Sequence, residues 1–199
     1  MIRKLPLIPT LIVAAAVAVM IALGFWQLRR AVEKDALLER FRAAQTLPPI
    51  SFPTGPIHEH RLPLFRHATG LCLQPVARRS TAGRNRAGEP GYSQILACRT
   101  GAEGPGMSVE LGWSKNPNVA VKWPGGLVSG IIAPDSRTRM RLVAASSPPG
   151  LEPSAPPSIE QIPNNHRSYA IQWFLFALIA AVIYGLALRG KLKVKKVKE

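Results

Sequence analysis

Residues 5–25 read LPLIPTLIVAAAVAVMIALGF and residues 168–188 read SYAIQWFLFALIAAVIYGLAL. Neither stretch holds a charged side chain, and about 21 residues at 1.5 Å each match the roughly 30 Å hydrocarbon core of a bilayer. Two membrane-spanning helices are expected, one near each end of the 199-residue chain. The first follows Arg3 and Lys4, as a signal peptide's apolar core would. It is long for such a core, however, and ends in Gly24-Phe25-Trp26-Gln27 without a small-x-small cleavage site, so it is read as a retained anchor.

Charge placement orients the pair. Arg189, Lys191, Lys193, Lys195, Lys196 and Lys198 follow the second run, whereas only His166 and Arg167 closely precede it. The positive-inside rule assigns the basic tail, residues 189–199, to the cytoplasm, and with two spans residues 1–4 follow it there. The flanks of the first span decide less, because Arg29, Arg30 and Lys34 balance Arg3 and Lys4. Everything between the spans then faces outward, which in the plasma (inner) membrane of a bacterium is the periplasm. The net charge of +15 is read as this topology signal and a contact with the lipid bilayer, not as a nucleic-acid footprint, because no nucleic-acid-reading module accompanies it.

Between the spans the composition changes twice. Residues 26–47 carry Leu28, Val32, Ala36, Leu37 and Phe41 near helical spacing, so the first helix is expected to run on past the membrane until Pro48-Pro49 stops it. Residues 48–163 hold all the prolines except Pro6 and Pro9, which leaves short strands and turns. Candidate strands are 66–76, 92–99, 107–113, 119–123, 126–132 and 140–145, consistent with a small mainly-β domain, an antiparallel barrel or sandwich. Residues 146–163 are rich in proline and glycine, without apolar period, and read as an extended linker. Cys72 and Cys98 lack metal or redox spacing; they either pair in an oxidising compartment or are small buried apolar side chains. Residues 164–188 form the second span.

No phosphate loop, nucleophile elbow, zinc helix or haem-attachment motif is present, so the chain is read as not being an enzyme. The informative segment is Asn164-Asn165-His166-Arg167-Ser168-Tyr169-Ala170-Ile171-Gln172-Trp173-Phe174, at the start of the second span. As a helix it aligns His166, Tyr169, Ala170, Trp173 and Ala177 on one stripe, with Asn164 or Asn165 as the cap. The positive end of the helix disfavours imidazolium, and a neutral imidazole is the form that ligates iron. Arg167, with Arg29 and Arg30 from the first span, suits carboxylates such as haem propionates. The alternative is an interfacial anchor, and Trp26 and Gln27 equally fit an aromatic belt at the outer end of the first span. His58, His60 and His67 are scattered through a proline-rich, exposed stretch and are weaker metal candidates.

Together these two motifs resemble the surfeit locus protein 1 family of cytochrome c oxidase assembly factors. Gly24, Trp26, Gln27 and Arg30 match its Gly-x-Trp-Gln-x-x-Arg, and Asn164, His166, Tyr169, Ala170, Trp173 and Phe174 match its Asn-x-His-x-x-Tyr-Ala-x-x-Trp-Phe. Pro90-Gly91-Tyr92, Val109-Glu110-Leu111-Gly112-Trp113 and the strand from Leu127 to Ile132 look like the family's intervening strands. The departure is Leu111, where the family has arginine. The resemblance implies a role in supplying or stabilising haem a for the catalytic subunit of a haem-copper oxidase, with a haem a synthase as a further partner. It also implies that His166 is the position at which some members hold haem iron. On the residues themselves, Tyr169 and Trp173 are then expected to pack the macrocycle and Arg29, Arg30 and Arg167 to hold its propionates, with Trp26 and Gln27 as further cofactor-binding candidates.

Overall fold

The computed structural model describes residues 6–101 and 105–197. Arg3, Lys4, Lys198 and the centre of the 101–106 turn lie outside the described residues, as do the side chains of the basic tail from residue 191 onward. The chain divides into two compact units, residues 1–37 with 163–199, and residues 38–162.

The first unit is a helix pair. Helix α1 spans Leu7–Thr46 without a break, a length of about 60 Å at 1.5 Å per residue. Its N-terminal prolines fit because the first-turn amides have no intrahelical partner to lose. It ends at Thr46, and the chain bends at Leu47, just before Pro48. Helix α2 spans His166–Val197. Both are long and apolar enough to cross a membrane.

Their packing follows a seven-residue period. On α1 the less exposed positions include Thr10, Val13, Val17, Met20, Gly24, Gln27 and Ala31, at alternating steps of three and four. On α2 they include His166, Ala170, Trp173 with Phe174, Ala177, Ala180 and Tyr184. That spacing keeps one seam facing the neighbouring helix. The pair is antiparallel: the hydroxyls of Thr10 and Tyr184 lie 2.6 Å apart at one end, and Gln27 meets His166 at the other. Gly24 is where the helices approach closely, since a Cβ there would lie 2.5 Å from Cε1 of Phe174. Gly24→Leu is therefore expected to push the pair apart and destabilise it by about 2 kcal/mol, the usual scale of overpacking. An unchanged thermal transition of the detergent-solubilised variant would contradict this.

The second unit is mainly β. Its strands are β1 Ile50–Ser51, β2 His67–Cys72, β3 Gln74–Arg84, β4 Pro90–Arg99, β5 Pro105–Ser114, β6 Gly126–Asp135 and β7 Arg139–Ala144. They form one sheet in the order β1-β2-β6-β7-β5-β4-β3. Pairings β1–β2 and β5–β7 are parallel and the others antiparallel, so the mainly-β domain expected from its short strands is predominantly antiparallel, with two parallel pairings added.

Three sequence expectations are corrected here. The 66–76 run is two strands, because the chain turns at Leu73, whose amide donates to Arg99 O (2.9 Å). Strand β3 was missed: its residues are largely polar or small, with Arg78, Arg79 and Arg84 among them. As the last strand in the order it is mostly exposed, so it has no apolar alternation to read. Residues 119–123 are not a strand; that loop is held by the Arg78 guanidinium, which donates to Val119 O.

The sheet curls strongly. β2 and β4 are not hydrogen-bonded neighbours, yet Cys72 and Cys98 are joined by a disulfide with their Cα atoms 5.2 Å apart. The core inside the curl includes Phe52, Leu62, Val109, Leu111, Ile132 and Leu142. Leu111 is buried in that core beside the bulge in β5, an apolar setting that suits leucine. The indole of Trp113 packs on Gly91, where any side chain would collide with it, so two of the motif fragments meet in space. The linker docks on the same strand, with backbone bonds in both directions between Trp113 and Glu152 (2.7 and 2.9 Å). Finally, Leu38 and Phe41 from the last turns of α1 pack with Phe65 and Ile159.

Candidate functional site

The α1–α2 pair brings the two motifs of the spans together at its end away from the chain termini. His166 is the first residue of α2 and is half-buried on the seam. Its Nδ1 lies 2.8 Å from Oε1 of Gln27. With the amide oxygen accepting, Nδ1 carries the proton and Nε2 retains its lone pair, which is how a second residue selects the tautomer and orientation of a ligand histidine.

One helical turn from Gln27, Ala31 is buried and lets α2 come close; a further turn on stands Asp35. Its carboxylate accepts from Asn164 Nδ2 at 2.7 Å and from Arg167 Nη2 at 2.7 Å. Asp35 thus fastens the residues on either side of His166 to α1. Sequence reading missed this role, although Asp35 lies two i+4 steps beyond Gln27, through Ala31. Asn165 is the residue before the helix, and its carbonyl accepts from the Tyr169 amide (3.1 Å). The Asn164 side chain is spent on Asp35, with its own Oδ1 buried and unpartnered.

The other expected site residues divide into two groups. Ala170 and Ala177 are buried on the seam and Trp173 is half-buried, its ring edge-on to Phe176. Phe174 packs edge-to-face on Phe25 at 5.3 Å between ring centroids. Tyr169 and Trp26 are exposed and stand off the seam, so the single stripe drawn through His166 and Tyr169 splits into a packed edge and an open one. The cations differ as well. Arg167 is paired with Asp35, Arg30 with Glu33 at 2.5 Å, and Arg29 makes no side-chain hydrogen bond among the described residues. Among the described residues no group of three or more His, Cys, Asp or Glu is placed to hold a metal. His58 and His60 stack on each other, their centroids 5.7 Å apart.

Two membrane-length helices that bracket a mainly-β domain, with a histidine held by an amide where the helices meet, define a membrane-anchored protein of the helix–β-domain–helix kind. A sequence model of the SURF1 family matches residues 14–178. The chain belongs to the SURF1 family, a family of cytochrome oxidase assembly factors and not a known class of enzymes. Among curated proteins no sequence matches.

Proposed function

We propose that this protein assists assembly of a haem-copper terminal oxidase by presenting haem a, through His166, to the oxidase catalytic subunit. The observation that carries the reading is the Gln27–His166 bond, which holds the imidazole by Nδ1 and leaves Nε2 for an iron atom. The residues present suit a haem held by one axial bond. His166 supplies the donor, the exposed rings of Tyr169 and Trp26 and the half-buried Trp173 supply apolar surface, and Arg29 is the cation with no carboxylate partner among the described residues. Haem is cargo here, and a single axial bond favours its release to the next protein. A haem a synthase is the source this reading requires.

Orientation belongs to the same proposal. The basic tail after α2 supports cytoplasmic termini, and the Cys72–Cys98 disulfide supports a periplasmic, oxidising setting for the β domain.

A scaffold that steadies an early oxidase subunit without haem is the second reading. Its support is that Arg167 and Arg30 already have carboxylate partners and are less available to propionates. Co-expression with a haem a synthase separates the two. Purified protein is expected to carry haem a, and His166→Ala to lose it. Gln27→Leu should keep some haem but weaken retention roughly 10–100-fold, the usual effect of removing a residue that orients a ligand. Equal haem content in wild type and His166→Ala would remove the ligand assignment, and crosslinking to the oxidase that persists without haem synthesis would favour the scaffold.

A further inference from the structure

In the β domain, Glu110, Arg141 and Val143 alternate along β5 and β7 with the core residues Val109, Leu111, Leu142 and Ala144, so they stand on the face of the sheet turned away from the core. Residues 155–157 of the linker lie by this face, held by the Ala155 amide, which donates to Arg84 O at 2.8 Å. Between them is a cleft of about 480 Å³, within the ordinary range of ligand pockets. Ser93, Glu110, Arg141 and Gln161 line it, and the exposed Arg84 adds a further cation.

Two of these groups are buried and incompletely bonded. The Glu110 side chain is 4% exposed; its Oε2 accepts from Arg141 Nε at 2.6 Å, whereas its Oε1 has no hydrogen-bond partner among the described residues. Unlike Ser154 Oγ and Asn164 Oδ1, which are sealed from solvent without a partner, Oε1 keeps access to solvent, and the solvent it reaches is the cleft that Glu110 lines. Ser93 is 3% exposed, and its hydroxyl is likewise unsealed and without a side-chain hydrogen bond among the described residues. It lies over Gly83, also in the lining, where any Cβ would collide with it. A carboxylate buried this deeply ordinarily has both oxygens bonded, so the open one marks a place for a donor.

The buried charges cancel. Arg141 pairs with Glu110 and stands 3.6 Å from Asp135, which Arg79 also engages. An ammonium ligand would meet the Arg84 and Arg141 guanidiniums, and a carboxylate ligand would meet the open oxygen of Glu110. A hydroxyl avoids both conflicts, because it is neutral, donates to a carboxylate and accepts from a hydroxyl or a guanidinium. We propose that this cleft is a binding site for a small polyol. One hydroxyl donates to Glu110 Oε1, and its vicinal neighbour bonds to the Ser93 hydroxyl. A free polyol and the glycerol headgroup of a lipid present the same diol.

Saturation-transfer NMR on the purified full-length protein tests the assignment, in a polyoxyethylene detergent so that no sugar headgroup competes. The probes are myo-inositol, glycerophosphoglycerol and, as a control with a single hydroxyl, cyclohexanol. At least one polyol is expected to bind with a Kd of about 1 mM or tighter, and cyclohexanol not to bind. Tighter binding of glycerophosphoglycerol points to a lipid headgroup, and tighter binding of myo-inositol to a free polyol. Glu110→Gln is expected to weaken binding about ten-fold or more, the scale of one lost hydrogen bond to a charged group. That variant also takes the anion from Arg141, so Ser93→Ala provides the test that does not depend on it. Ser93→Ala should weaken binding about five-fold, the scale of one neutral hydrogen bond, without lowering the thermal transition, a combination that a purely structural hydroxyl does not produce. Equal binding of cyclohexanol and the polyols, wild-type affinity in Ser93→Ala, or no binding of either polyol overturns the proposal.

Discussion

Replacing Cys72 and Cys98 together by alanine is expected to cost the β domain about 3.5 kcal/mol, the chain-entropy value for a loop of this size. The two residues are 26 apart in sequence, so the bond removes a substantial part of the freedom of the unfolded chain. Alanine is chosen because both positions are buried among apolar side chains, where a serine hydroxyl would add its own desolvation penalty. The loss should appear as a lower denaturant midpoint, and a reducing agent should reproduce it in the wild type. The bond also joins strands that the sheet does not pair, so weakening should be greatest around β2 and the β3–β4 hairpin. Hydrogen exchange would locate it, and uniform protection in the variant would contradict this assignment.

The second large effect is expected at Asp135. Its side chain is 2% exposed and accepts from Arg79 at 2.5 Å, and Arg141 stands 3.6 Å away while donating to Glu110 at 2.6 Å. These charges link β3, β5, β6 and β7 and help to hold the curl of the sheet. Burial by itself would raise the Asp135 carboxyl. The side-chain bond from Thr138, the bond from Arg79, the Thr138 amide and the charge of Arg79 together outweigh it and hold the carboxyl at about 2, below its ordinary 3.8. Because the folded value is the lower one, the carboxylate's contribution is complete above pH 3.8 and is lost as pH falls toward 2. At about 1.4 kcal/mol per unit, that contribution is about 2 kcal/mol. Asp135→Asn should cost about 3 kcal/mol at neutral pH, since it also leaves Arg79 without its anion. It should flatten the acid limb of the stability curve between pH 4 and 2. A variant that keeps the wild-type acid limb would assign that limb to other carboxylates.

How much of this was legible beforehand depended on the kind of signal. The helices were readable because two long uncharged runs have few alternative folds, and Pro48-Pro49 marks the end of α1 on sight. Strands β4, β5, β6 and β7 were readable because one face of each packs into the core. Strand β3 was not, because an exposed last strand is specified by backbone bonding to its neighbour and carries no apolar alternation. At the candidate site, His166 and Gln27 were both picked out, but as members of separate motifs. Asp35 was passed over because one acid among many on an amphipathic segment has no distinguishing local pattern.

Residues 5–25 and 168–188 by themselves determined that the chain has two membrane-length helices with a strand-rich domain between them, because hydropathy and proline placement are local properties. Tertiary structure alone decided what those runs do to each other. A seven-residue seam and the bare Cα of Gly24 bring Gln27 within 2.8 Å of His166, across 139 positions of sequence. The curl of the sheet likewise settled the alternatives for Cys72 and Cys98 in favour of the disulfide. Local sequence sets which conformation a segment prefers, whereas which side chains meet is set by packing between segments far apart in the chain.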